Sequence, residues 1–358
     1  MVISSCRRES AIRDHSLFPC AALAMLMALG GTAIAAAPDA EQRYAELGSC
    51  PLSSKVVIRS CRIGYRVHGE MNADKSNVVL FPTWYNGQTR DQEALVGAGR
   101  MLDSSKYFII TIDSLGNGVS SSPSNAAPPQ RALQFPKFTI ADMVATDRKM
   151  LDAVFGLAHV HAVVGISMGG MQAYEWAVRY PGYVDTVIAI EGTPWPTSND
   201  LLTWHIMRAT IVEDRSYEGG RYQQEPVLAL ANEVDTYMAY SPSYRASATS
   251  VQDYARFLED TDSEPSIGAN NRVWQLDAMT EFNLLRGSSI SDIAARRLPR
   301  MLIVVSRQDH TVNPSPSLEW ANRTHTPLVV LEGDCGHMNP ICVQEQLANA
   351  VQSKLDER

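Results

Sequence analysis

Ser167 lies in Gly165-Ile-Ser-Met-Gly169-Gly170, directly after the apolar run His161-Ala-Val-Val-Gly165 and directly before the helical pattern Gly170–Arg179. A serine on a sharp strand-to-helix turn projects its hydroxyl from the sheet edge. The flanking glycines let neighbouring backbone pass close by, and the helix N-terminus offers amide donors beside it. That chemistry is nucleophilic attack, although a tight turn carrying a solvated serine would look similar. A serine hydroxyl needs a base, and the base needs an orienting acid. Asp309 follows the apolar run Met301–Val305, and His337 follows Leu328–Leu331 in Gly333-Asp-Cys-Gly-His337-Met. The order serine, aspartate, histidine and two loops at strand C-termini fit that division of labour. His310 adjoins Asp309 and would point away from it. His325 belongs to the end of the helical pattern Ser315–Arg323, and Asp334 is too near His337 in sequence to cross between strand ends. Acyl chemistry also needs donors for an oxyanion. The amide of Met168 is one expectation. The other lies in Pro82-Thr83-Trp84-Tyr85, where Thr83 and Trp84 are not separable; Trp84 and Tyr85 could equally be ordinary loop packing.

The elements that must position these residues alternate along the chain. Val56–Ile58, Arg62–Val67, Asn77–Phe81, Tyr107–Ile112, His161–Gly165, Thr186–Ile190, Met301–Val305 and Leu328–Leu331 read as strands. Arg90–Leu102, Ile140–Phe155, Gly170–Arg179 and Ser315–Arg323 read as helices. Apolar strands separated by amphipathic helices imply an α/β fold, with a mostly parallel central sheet covered on both faces. Residues 196–295 break the pattern. They hold no buried-strand run, and Trp204, Ile211, Val234, Tyr237 and Trp274 suggest several helices. We therefore expect a core of 38–195 and 296–358 with a helical cap or lid insertion over 196–295. Trp195, Trp204, Tyr237 and Trp274 are candidates for the walls of a substrate pocket, or else for the core of the insertion.

The chain has 358 residues, 45% of them hydrophobic, and a net charge of -8 from 31 basic and 39 acidic residues. That balance argues against nucleic-acid binding, which needs a basic excess. The body holds no run of twenty apolar residues, so no membrane span is expected there. Arg7, Arg8 and Arg13, then an apolar stretch from Phe18 to Leu29, then Ala35-Ala-Ala37 read as a signal peptide over 1–37. Export to the periplasm or the medium changes the cysteine reading. Of six cysteines, Cys6 and Cys20 leave with the leader, and the simplest pairing of the rest is Cys50–Cys61 and Cys335–Cys342. No pair has C-x2-C spacing and no other His/Asp/Glu cluster has metal spacing, so neither a metal nor an organic cofactor is implied. Nothing in the composition excludes a homo-oligomer.

The segments Val164–Pro181, Asp113-Ser-Leu-Gly-Asn-Gly-Val-Ser-Ser-Ser-Pro123, Met207–Ile211 and Gly219–Tyr222 together resemble the α/β-hydrolase superfamily and, within it, the homoserine O-acetyltransferase-like branch. The resemblance spans most of residues 55–350. It implies Ser167 as nucleophile, Asp309 as acid and His337 as base. Two departures bear on substrate. Where the transferases close a Gly-Leu-x-Leu-Ala-Arg segment with a carboxylate-binding arginine, Pro226-Val-Leu-Ala-Leu-Ala-Asn232 ends in Asn232, which makes no charged bidentate pair. Phe81-Pro-Thr-Trp-Tyr-Asn-Gly87 also replaces the usual loop after the first buried strand. Tyr85 and Asn232 thereby join the pocket candidates.

Three functions stay open on the sequence. The first is an exported serine hydrolase acting on an ester, thioester or amide of a small to medium molecule. The second is an O-acyltransferase in which an alcohol replaces water. The third is a non-catalytic binding protein on the same fold, against which an intact Ser–Asp–His set argues.

Overall fold

The computed structural model describes residues 40–264 and 266–357. The expected leader, with Cys6 and Cys20, lies outside them. Eight strands form one sheet: β1 Arg43–Pro51, β2 Val57–His68, β3 Val78–Pro82, β4 Phe108–Ile112, β5 Val160–Ile166, β6 Val184–Ile190, β7 Arg300–Val305 and β8 Leu328–Val330. Their order is β1-β2-β4-β3-β5-β6-β7-β8. β1 and β2 pair antiparallel, as do β2 and β4, and the remaining neighbours run parallel. Eleven helices occur among the described residues: α1 Ile140–Phe155, α2 Met168–Arg179, α3 Ser198–Val212, α4 Ala229–Ala239, α5 Pro242–Ala248, α6 Tyr254–Asp262, α7 Ala269–Thr280, α8 Ile290–Ala294, α9 Ser315–Thr324, α10 Asn339–Cys342 and α11 Gln344–Leu355.

The parallel strands read as unbroken apolar runs because both faces of the sheet are covered. Successive side chains still alternate between faces. Leu80, Ile110, Val163, Val187 and Ile303 join a core cluster containing Met143, Met150 and Trp176 from α1 and α2, and Trp320 from α9. Their sequence neighbours Phe81, Ile109, Val164, Ile188 and Val304 join a second cluster, closed by Leu347, Val351 and Leu355 of α11. Helix α1 starts where Thr139 and Asp142 form a capping box and stops at Gly156, whose φ of 56° is left-handed.

Three readings of local structure need correction. Arg90–Leu102 is not one helix: a 3-10 turn covers Thr89–Leu95, and Gly97 and Gly99 then turn the chain at positive φ. Val56–Ile58 and Arg62–Val67 are not two strands but parts of the single strand β2, which bulges where Ser60 takes a φ of 48°. β1 goes unread in the sequence because six of its nine residues are exposed at the sheet edge, which leaves no apolar run.

Between β6 and β7 the chain forms α3 to α8. Cys50 is bonded to Cys61 across β1 and β2, and Cys335 to Cys342. Among the described residues no helix is long and apolar enough to cross a membrane.

Candidate active site

Ser167 caps the N-terminus of α2 with φ 58° and ψ -121°. A non-glycine residue at positive φ costs about 1–3 kcal/mol and persists only where the surroundings enforce it. Here they do so on two sides. The Ser167 N–H donates to Ile190 O at 2.9 Å, tying the turn to β6. A Cβ on Gly165 would sit 2.0 Å from Gly169 O, and one on Gly169 would sit 2.8 Å from Pro82 O. The spacing of the two glycines is therefore a packing requirement of the turn.

Asp309 and His337 reach the serine from the loops after β7 and β8. Asp309 follows β7, and its Oδ1 accepts from the N–H groups of Thr311 and Val312 at 2.8 Å each. Its Oδ2 stands 2.7 Å from His337 Nδ1, and His337 Nε2 stands 2.9 Å from Ser167 Oγ. Ser167 and Asp309 are each 6% exposed, so the contact operates with little water present.

The surrounding helices brace both loops. Trp204 of α3 donates its indole N–H to Thr311 O at 3.0 Å, Thr311 Oγ1 donates to Met238 O at 2.9 Å, and Asp200 Oδ1 accepts from the Asn313 N–H at 2.6 Å. The His337 loop is closed by the Cys335–Cys342 disulfide. Asn339 holds it further, accepting from the Cys335 N–H at 3.0 Å and donating to Gly333 O at 3.2 Å. Ser241, at the start of α5, donates to Asp334 O.

The two oxyanion alternatives separate. The Thr83 N–H donates to Ile112 O at 3.0 Å, continuing the sheet, while its Oγ1 pairs with Ser114. Thr83 thus anchors the loop and is corrected as a free donor. Neither the Trp84 N–H nor the Met168 N–H has an acceptor among the described residues.

The pocket candidates fall in different places. Trp204 and Trp274 are buried in the core, with their indole N–H groups on Thr311 O and Phe135 O. Truncating a tryptophan so buried costs about 3–5 kcal/mol, which marks both as packing residues. Trp195 is half-buried, its ring 6.5 Å from that of Trp320. Tyr237 is 71% exposed and borders an apolar groove of about 650 Å³ with Tyr240, Phe257 and His310. A larger cleft, about 1340 Å³, opens at the opposite ends of the strands beside Tyr107, Val184 and Arg300, and none of Ser167, Asp309 and His337 lines it.

Tyr85 and Asn232 meet at a residue the sequence does not single out. Arg272 of α7 is wholly buried. Its Nε donates to Tyr85 Oη at 3.2 Å, its Nη1 to Asn232 Oδ1 at 3.1 Å and its Nη2 to Asp235 Oδ2 at 2.8 Å. Burial raises the Asp235 carboxyl above its ordinary value against the pull of Arg272. On the next turn of α7, Gln275 Oε1 accepts from the Asn86 N–H at 3.1 Å, so this helix fixes the loop that carries Trp84. Glu191, at the end of β6, is the second residue missed. Its Oε2 lies 3.7 Å from His337 Nδ1. An acidic residue closing the apolar run Thr186–Ile190 was the signal available.

One oxygen of Glu191, one of Asp309 and one ring nitrogen of His337 lie within 4.8 Å of one another. Within this group Asp309 Oδ2 holds His337 Nδ1 at 2.7 Å.

The chain is 38% identical over 203 residues to an ethyl acetate hydrolase of Pseudomonas veronii, covering 55% of this chain and 58% of that protein. It is 28% identical over 291 residues to a homoserine O-acetyltransferase of Methanosphaera stadtmanae, covering 71% of this chain and 59% of that one. The chain thus spans well under two thirds of the length of either relative. The structure of the acetyl esterase MekB superposes with a TM-score of 0.81 at 28% identity, covering 88% of this chain and 95% of that one. Residues 78–341, from the first residue of β3 to within α10, match the family described as alpha/beta hydrolase fold, and the sheet order and the serine turn follow that pattern: the chain belongs to the α/β-hydrolase family, and within it resembles the homoserine O-acetyltransferase branch.

Proposed function

We propose that this protein is a serine esterase that hydrolyses carboxylic esters with a short acyl part. The observation that carries the reading is the continuous contact from Asp309 Oδ2 through His337 to Ser167 Oγ, at 2.7 and 2.9 Å. His337 Nε2 takes the hydroxyl proton as Ser167 Oγ attacks the ester carbonyl, and Asp309 holds the ring in the tautomer that can accept it. The N–H groups of Met168 and Trp84 receive the oxyanion. His337 returns the proton to the leaving alcohol, and water then repeats the sequence on the acyl-enzyme. The ethyl acetate hydrolase and acetyl esterase similarities support a small acyl group.

Hydrolysis is favoured over acyl transfer to an amino-acid alcohol by Asn232. In the resembling transferases that position carries an arginine for the substrate carboxylate. Here it carries an amide that accepts from Arg272, and the Arg272 charge is paired with Asp235. In this reading residues 196–295 act as a cap that shapes the pocket and braces the acid and base loops. The leader pattern and the two disulfides support export. The test is product partition: with an activated acetyl ester and added alcohol acceptors, homoserine included, acetate should dominate. Acetylated acceptor as the main product would overturn the hydrolase reading in favour of the transferase.

The disulfide beside the base gives a second expectation. Cys335 and Cys342 bracket His337, so mild reduction should lower kcat before the fold is lost. A displacement of an ångström can cost up to about 10²-fold in rate. Turnover and far-ultraviolet circular dichroism followed together would show it. Undiminished turnover with both thiols blocked would remove the disulfide from the mechanism.

A further inference from the structure

Glu191 combines two unfavourable features that face the same imidazole. It sits at a φ of 46°, left-handed for a residue with a side chain. Its carboxyl is fully buried. Oε1 accepts from Ser306 Oγ, but Oε2 has no donor among the described residues. A buried polar oxygen left without a partner is destabilising. The backbone explains the placement, since the Glu191 N–H donates to Val304 O at 2.8 Å and carries the side chain across the end of β7. There Oε2 lies 3.7 Å from His337 Nδ1, while Asp309 Oδ2 holds the same nitrogen at 2.7 Å.

Resting on the serine-esterase reading, we propose that Glu191 is a second positioning carboxyl for His337, which takes over the Nδ1 hydrogen bond when Asp309 cannot accept it. A shift of about 1 Å would bring Oε2 to hydrogen-bond distance. In the intact protein the two carboxyls divide the work. Burial and the Asp309 charge push the Glu191 carboxyl well above its ordinary value, which disfavours its ionised form. The titratable groups facing Glu191 are Asp309 and His337; behind Asp309 lies Asp200 of α3, raised by burial and by Asp309. Without Asp309 the repulsion disappears but burial remains. Glu191 then ionises on the alkaline side of an ordinary carboxyl, and only its ionised form is a strong acceptor for Nδ1–H.

Asp309→Asn would present an amide NH₂ to Nδ1 and impose the other tautomer, so Asp309→Ala is the informative change. We would measure kcat against pH for the native protein, D309A, E191Q and the double variant, with S167A as the blank. A triad carboxylate with no substitute costs about 10⁴-fold in kcat. D309A should instead lose about 10²-fold, and its residual rate should rise with pH as Glu191 ionises. The double variant should lose more than the product of the two single losses, and the alkaline rise should vanish. Losses that simply multiply, or a D309A profile parallel to the native one, would overturn the role of Glu191. If E191Q does not fold, the D309A profile alone decides: no alkaline rise contradicts the proposal. Turnover by S167A would sink the serine mechanism itself, whereas multiplying losses with an inert S167A would sink only the role of Glu191.

Discussion

Ser167→Ala should reduce kcat for ester hydrolysis by about 10⁶-fold while leaving thermal unfolding where it was. The fold is untouched because the change removes one hydroxyl from a residue held by its backbone. The Ser167 N–H still donates to Ile190 O, and the glycine contacts that enforce the turn involve no serine side-chain atom. Alanine inherits the same strained φ, so neither relief nor extra strain is expected. Catalysis falls because no other hydroxyl stands within reach of His337 Nε2 in the contacts described. The residual rate over the uncatalysed reaction would come from the amide donors of Met168 and Trp84 and from substrate binding. Steady-state kinetics on a chromogenic acetyl ester, with a melting curve of the same preparation, checks both halves. Retained turnover would remove the Ser–His–Asp assignment.

His337→Ala should be nearly as damaging, about 10⁵- to 10⁶-fold in kcat, and combining it with Ser167→Ala should add little. The two side chains act as one unit: the base has no task without the hydroxyl, and the hydroxyl is a poor nucleophile without the base. The loop should survive the change. It is held by Cys335–Cys342 and by Asn339, not by the imidazole. Labelling by a fluorophosphonate, which requires an activated serine, should fall in parallel with ester turnover. Multiplying losses in the double variant would mean that Ser167 and His337 act in separate steps, contrary to the mechanism proposed.

How much of this was legible in the sequence follows from the range of the forces involved. The serine turn is a local device, with Gly165 and Gly169 required by contacts to nearby backbone, so its spacing shows in the chain. Chain order alone points to Asp309 and His337, because a parallel sheet delivers successive strand ends to one edge. What required three dimensions was partnership across strands. Thr83 and Trp84 differ only across strands: the Thr83 N–H donates to Ile112 O of the neighbouring strand. Glu191 lies far from His337 along the chain, and their relation exists only because β6, β7 and β8 are consecutive neighbours in the sheet. Arg272 reads as one polar residue among several in α7, and its pairing with Asp235 of α4 has no local signature. The helical pattern over Arg90–Leu102 misleads in the converse way, because it runs past Gly97 and Gly99, where backbone turns are cheap.

The most direct test of the central claim is to trap the acyl-enzyme. The protein should be quenched in acid during turnover of an acetyl ester and its peptides weighed. One acetyl group on the peptide containing Ser167, absent from S167A and accumulating when deacylation is slowed, is the predicted result. An acetyl group on a different residue, or fluorophosphonate labelling that spares Ser167 in the folded protein, would contradict the account.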